Sequence, residues 1–310
     1  MNQIVVEQNT SIGTINQALL IAQKTGIKTI LVKNGIYHEK IKITLDGLTL
    51  FGEDQNKTII TNSDYAKKIH DDGKEFNTFR TYTVMVLANN VKIRNITIRN
   101  DAGPGSVVGQ AVSLSVTGDL IEIEKCNLVG HQDTLFLGPL PKDLLERYQN
   151  LLPKDELIFP INHRVMIKST VIQGDVDFVF GCANAYFITC EFISNPGNGY
   201  VFAPSTDEID DFGFVVVNSK FTGKKANSKV YLARPWRDAG KLILVDCVMD
   251  SHIVDEGFHH WEGTTRYLTC RFFERGTTYL DGHFFERVSY VSDISDQELI
   301  SLFNSYNWFL

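Results

Sequence analysis

The feature that most constrains this 310-residue chain is a repeat without a fixed period. VKIRNITIRN, IEIEKCNLVG, VMIKSTVIQG, AYFITCEFIS, FVVVNSKFTG, LILVDCVMDS and RYLTCRFFER share one pattern: a β-branched or aromatic run, a small or polar pair, another apolar residue, and often Gly or Ser. Aligning Ile96, Cys126, Thr170, Cys190, Ser219, Cys247 and Cys270 leaves separations of 30, 44, 20, 29, 28 and 23 residues. Each unit is too short to bury a face alone, so coil must stack on coil to make a core, with parallel strands as walls. Loops of different length absorb the irregular spacing. A β-sandwich would show tight hairpin signals between paired strands, and KNG and LDG are few and early.

The repeat also accounts for the cysteines. There are five, with no CxxC pair, and an odd number cannot all be bridged within one chain. Four of them (Cys126, Cys190, Cys247 and Cys270) share one position of the repeat, where a small buried side chain can stack on the next coil. Free thiols in that role are expected, with no disulfide framework.

The ends read differently. TSIGTINQALLIAQKTG places Ile15, Leu19 and Ala22 on one face and closes with Gly26, which predicts a helix capping the open end of the solenoid. Ser295 with Glu298 forms a capping-box pattern ahead of LISLF, which predicts a short C-terminal helix along the side. Residues 139–163 have prolines near both ends and a helical stretch inside, expected to form a long loop projecting from one coil. The whole of 1–310 reads as a single all-β domain.

Composition narrows the partners. A hydrophobic share of 43% can fill a large core. The formal charge of −7, without a Lys/Arg cluster, argues against nucleic acid. No run reaches the roughly 18 apolar residues of a membrane helix. MNQIVVEQNTSIG lacks the basic start and apolar middle of a secretory signal. A cytoplasmic location is expected, or a secreted one if a leader has been removed. A capped solenoid needs no partner subunit, so a monomer is expected.

Chemistry gathers at four places. GDVDFVFG (174–181) sets Asp175 and Asp177 among apolar residues. Alternation with Val176 and Phe178 inward turns both aspartates outward, which by itself explains solvated carboxylates. GQAVSL supplies Gln110, GHQDTLF supplies Gln132 and Asp133, and YLARPW supplies Arg234 and Trp236. Two carboxylates, two amides, a guanidinium and an aromatic wall are the residue types that acyl transfer requires. Stacked coils bring such distant positions side by side. Blander readings stand beside this one: Asp133 as a turn residue, the glutamines as an amide ladder, and Arg234 packed on Trp236. His131, His259 and His260 form no metal-ligand spacing, so neither a metal nor a cofactor is expected.

In order along the chain, TINQAL, ILVKNGIYHEKIKI, NITIRNDAG, GQAVSL, GHQDTLF, GDVDFVFG, YLARPW and EGFHHW resemble the pectin methylesterases, in a bacterial-type form. That resemblance implies a right-handed parallel β-helix and removal of C6 methyl esters from galacturonan or its oligomers. It further implies Asp177 as nucleophile and Asp133 as general acid and base. Gln132 and Gln110 would form the oxyanion hole, and Arg234 would hold Asp177 ionised. Trp236, Phe136 and Phe180 would be sugar-binding aromatics. Strict alternation buries Phe180 with Phe178, so this last role requires the strand to break its alternation near Gly181. Ala233 stands where the family commonly has glycine, and Phe258 where tryptophan is frequent. Two other readings remain, a pectate-lyase-like enzyme needing acidic calcium ligands and a silent carbohydrate-binding solenoid. The net negative charge leads us to expect turnover that rises with the degree of methylation.

Overall fold

The computed structural model describes residues 3–209, 212–223 and 229–305. Among these, strands stack into three all-parallel sheets of eleven, seven and nine strands, successive coils adding to the sheets in turn. The result is a right-handed parallel β-helix. Inward side chains from all three walls, such as Ile93, Leu128 and Val179, form one continuous core along its axis.

The small or polar pair of the repeat is a corner. Where each coil turns from the eleven-stranded to the nine-stranded sheet, one residue takes a left-handed backbone: Asn95 (φ 53°), Lys125 (52°), Ser169 (48°), Thr189 (52°), Asn218 (48°) and Asp246 (50°). The following residue points inward and stacks on its counterpart in the next coil, as Cys126 does on Thr170. The hydroxyls of this ladder satisfy corner amides: the Cys126 N–H donates to Thr170 Oγ1 (3.3 Å) and the Cys190 N–H to Ser219 Oγ (3.0 Å). Burial pushes the Cys126, Cys190 and Cys247 thiols up to about 12, so they stay protonated and unreactive. Cys270 does not belong to this ladder. The register that pairs Val248 with Thr278 puts Thr277 next to Cys247, while Cys270 precedes an eleven-stranded-sheet strand and is half-buried. An apolar pattern identifies a coil corner but not which of its corners.

Both terminal helices form where the sequence predicts them, one capping the first coil and one along the side. Helix α1 (Ile15–Thr25) has a reciprocal capping box between Thr14 and Gln17 and ends at Gly26 with φ 74°. It buries Ile15, Ala18, Leu19 and Ala22 over the first coil. A single turn, α2 (Gly105–Val108), lies between the Thr97–Asn100 strand of the nine-stranded sheet and the Leu114–Val116 strand of the seven-stranded one. Helix α3 (Lys142–Tyr148) lies in the 139–163 segment, ahead of a 3-10 turn at Lys154–Leu157. Helix α4 (Asp296–Ser305) begins at the Ser295–Glu298 box, where the Ser295 N–H donates to Glu298 Oε2 (3.0 Å). Its Leu302 packs on Tyr186, Val215 and Ile243 of the eleven-stranded sheet.

The 139–163 segment does not project. Leu140, Leu144, Tyr148 and Leu152 are buried against Phe79, Phe136 and Phe180 on the outer face of the seven-stranded sheet. Burial of such side chains is worth about 1.5–3 kcal/mol each. Glu156, also buried, pairs with Lys42 at 2.5 Å and fixes the far end. The segment forms a wall over the sheet that carries the site.

Candidate active site

The middle strands of the seven-stranded sheet run in register, so residues far apart in sequence become neighbours one coil apart. Leu114 pairs with Leu135, Leu135 with Val179, and Val179 with Phe202. Gln110 and Gln132–Asp133 lie just ahead of their strands, Asp177 lies within the third, and Arg234 follows the last, Val230–Ala233.

Asp177 faces outward because the strand is broken under it. Phe178 and Val179 are consecutive and both belong to the inner core, while Phe180 turns out. Continuous alternation back from Phe180 would therefore aim Asp177 into the core. The register shifts between Val176 and Val179, and Asp177 takes φ 49°. This bulge turns the carboxylate to the outer face. The break in alternation thus falls at Asp177 and not near Gly181. Asp133 is also left-handed, with φ 65°, and its N–H donates to the Val176 carbonyl at 3.0 Å. Unlike the left-handed corner residues, which recur from coil to coil, these two lie at the seven-stranded sheet and line the cavity on its outer face.

The second aspartate of GDVDFVFG has a different task. Asp175 accepts from the Val176 N–H (2.8 Å) and contacts His131 Nδ1 (3.0 Å), bracing the bulge from behind.

Arg234 meets Asp177 with two parallel bonds, Nε to Oδ1 at 2.8 Å and Nη2 to Oδ2 at 2.6 Å. Its guanidinium lies between the rings of Tyr200 (3.9 Å) and Trp261 (4.0 Å). Both faces and one edge of the cation are therefore fixed. Among the described residues, Asp133 has no side-chain hydrogen bond, and the side-chain amides of Gln110 and Gln132 are likewise unengaged. All of these except Tyr200 line one cavity of about 380 Å³, with Phe180, Trp236 and α3.

Burial raises both carboxyls above the usual carboxylate range. For Asp133 desolvation is reinforced by the Asp177 charge and lifts it well above; for Asp177 desolvation is opposed by Arg234. The shared proton therefore resides on Asp133. A carboxyl whose folded pKa is raised binds its proton more tightly in the native state. Stability is then lost as pH rises from the unfolded pKa, about 4, through the folded one. Asp133→Asn, which cannot ionise, should consequently melt above wild type at neutral and alkaline pH and lose that advantage near pH 4. Thermal unfolding across the pH range measures this.

The structure corrects one binding residue. Phe136 is 1% exposed, lying beneath Phe180 (5.0 Å) and Phe79 (4.9 Å), and is not part of the cavity wall. It faces the site side of the sheet but is roofed by α3, so it supports Phe180 rather than a sugar. Phe180 and Trp236 do line the cavity, with ring centroids 5.7 Å apart. Phe258 is buried on Phe272, whereas Trp261, three residues on in EGFHHW, reaches the site. Sequence reasoning missed Trp261 and also Tyr200, whose signal was its register with Val176. It missed the contribution of α3 as well, since no strand register constrains that segment.

Gly105 was missed too. A Cβ there would lie 2.5 Å from both Cβ and Oε1 of Gln132. Gly105→Ala should displace the amide and lower kcat by up to about 10²-fold, the low end for loss of one oxyanion donor, in steady-state assays of the folded variant.

The site is thus an arginine-paired aspartate beside a protonated one on the outer face of a parallel β-helix, a solenoid equipped for carboxyl chemistry. The sequence profile of the pectinesterase family matches residues 3–139 and 148–307, and the chain belongs to that family. It is 30% identical over 274 residues to Pectinesterase 2 of Citrus sinensis, covering 84% of this chain and 48% of that protein. It is 29% identical to a probable pectinesterase/pectinesterase inhibitor 23 of Arabidopsis thaliana, over 89% of this chain and 46% of that one. The chain thus spans about half the length of these curated relatives. Among solved structures, pectin methylesterase PemA from Erwinia chrysanthemi matches with a TM-score of 0.75 and 26% identity, over 96% of this chain and 94% of that one. A pectin methylesterase in complex with a hexasaccharide matches equally, with a TM-score of 0.75, 26% identity and the same two coverages of 96% and 94%. The carrot pectin methylesterase shares the fold with a TM-score of 0.80 at 23% identity, over 99% and 93% of the two chains.

Proposed function

We propose that the chain is a carboxylic ester hydrolase that removes C6 methyl esters from methylated galacturonan or its oligomers and releases methanol. The observation that carries this reading is the Asp177–Arg234 pair beside a neutral Asp133, with two unengaged amides facing the same cavity. Asp177, ionised, attacks the ester carbonyl. The side-chain N–H groups of Gln110 and Gln132 donate to the oxyanion that forms. Asp133 gives its proton to the departing methoxide, then takes one from the water that cleaves the acyl-enzyme, restoring both groups. Phe180, Trp236 and Trp261 offer aromatic surface to pyranose rings.

The competent state needs Asp133 protonated and Asp177 charged. Activity should fall as pH drops through the Asp177 pKa and as it rises through that of Asp133. The lyase reading is less well supported, because Asp177 is tied to Arg234 and Asp175 to His131, leaving neither carboxylate open to a calcium ion. Highly methylated galacturonan distinguishes the readings: methanol with no ultraviolet-absorbing unsaturated product supports the esterase, and the unsaturated product without methanol overturns it. Five free cysteines support a reducing, cytoplasmic setting, and the helix over the first coil supports a single-domain monomer; fractionation and sedimentation would test these.

A further inference from the structure

The charge inside the cavity differs in sign from that of the chain. Three aspartates and three arginines line it: Asp133, Asp143, Asp177, Arg147, Arg234 and Arg237. Arg234 is neutralised by Asp177. Arg237 is neutralised by Asp143 of α3 through two bonds, Nε to Oδ1 at 3.2 Å and Nη2 to Oδ2 at 2.7 Å. Asp133 is held protonated by burial and by Asp177. Among the described residues that line the cavity, one cation remains, Arg147.

Arg147 lies one turn along α3 from Asp143, the spacing at which the two could pair, but Asp143 is turned to Arg237 instead. Among the described residues Arg147 pairs with no carboxylate, and its recorded contact is with the ring of Tyr148 at 5.6 Å. Its side chain is exposed, but the helix that carries it is held in place. Leu144 and Tyr148 anchor α3 in the aromatic cluster, Tyr148 meeting Phe79 edge-on at 5.1 Å, and the Asp143–Arg237 pair ties the helix to the segment that carries Trp236. The pectinesterase profile skips residues 140–147, so this cation lies on a segment outside the family pattern.

We propose that Arg147 binds the free carboxylate of a uronate unit next to the methyl ester under attack, so that partly de-esterified chains are preferred over fully methylated ones. This deepens the esterase reading and rests on it. A methyl ester is neutral and offers a guanidinium only a weak acceptor, whereas a carboxylate offers a charge-assisted bond. The chain's net −7 led to the opposite expectation. Charges more than about 8–10 Å away are largely screened at physiological salt, so the local balance governs contact within the cavity.

The test compares methanol release from two trimers, one fully methylated and one with a single ester flanked by free carboxylates. Wild type should favour the second, and Arg147→Gln should lower the ratio of the two kcat/KM values about tenfold, mainly through KM. Arg147→Lys should recover part of the ratio, and high salt should compress it in wild type. An unchanged ratio in Arg147→Gln, or a wild-type preference for the fully methylated trimer, overturns the proposal. Calorimetric binding of fully de-esterified trigalacturonate needs no turnover and separates this inference from the reading beneath it. Weakening of about tenfold in Arg147→Gln supports the carboxylate contact even if methanol release fails, a failure that would strike the esterase reading alone. Equal binding overturns the contact.

Discussion

Asp177→Asn should lower methanol release by about 10⁴-fold or more while leaving the β-helix folded, the size of loss that follows removal of a nucleophile. An amide of the same shape cannot attack a carbonyl. Its oxygen still accepts one bond from Arg234, whose guanidinium keeps Tyr200 and Trp261 on its two faces, so the surroundings stay assembled. The loss should appear in kcat with little change in KM, because Asp177 acts on the reacting carbonyl and not on the sugar chain. A variant that is folded by circular dichroism yet retains more than a few per cent of wild-type kcat would remove Asp177 from the role assigned to it.

Arg234→Gln should have the second largest effect and should differ in kind, because it costs stability as well as rate. It leaves the Asp177 carboxylate, about 10% exposed, without its counter-ion. Breaking a buried pair from one side costs about 3–5 kcal/mol. Asp177 can escape that cost by taking up a proton, which removes the nucleophile. We expect kcat to fall about 10²-fold, comparable to the loss of one oxyanion donor, and the acidic limb of the pH profile to move upward. Arg234→Lys should be nearly as impaired, since an ammonium cannot make both bonds or stack between two rings. An unmoved acidic limb in Arg234→Gln would show that the arginine does not set the charge state of Asp177.

Much of this was legible in the sequence, for identifiable reasons. The solenoid was visible because each coil repeats the same corner, a left-handed residue followed by a small inward one, and Lys125–Cys126 and Thr189–Cys190 carry that signature locally. The site was visible because Gln110, Gln132, Asp133, Asp177 and Arg234 each lie at or beside a strand of one sheet, where register brings them together. What was not legible depends on local breaks and on packing without register. Alternation could not place the bulge at Asp177, since two consecutive inward residues, Phe178 and Val179, look the same as a buried run. Cys270 fits the repeat by composition but sits at another corner. Phe136 has the right chemistry for a sugar platform and loses it to the roof formed by Leu144 and Tyr148.

The central claim is that ester cleavage passes through an acyl group on Asp177, and trapping that group tests it most directly. During turnover of methylated galacturonan with added hydroxylamine, wild type should divert part of the acyl groups into galacturonyl hydroxamate. Methanol would then exceed free carboxylate by the amount of hydroxamate formed, and Asp177→Asn should form none above the enzyme-free rate. One free carboxylate for every methanol, at hydroxylamine concentrations that leave turnover intact, would contradict the account.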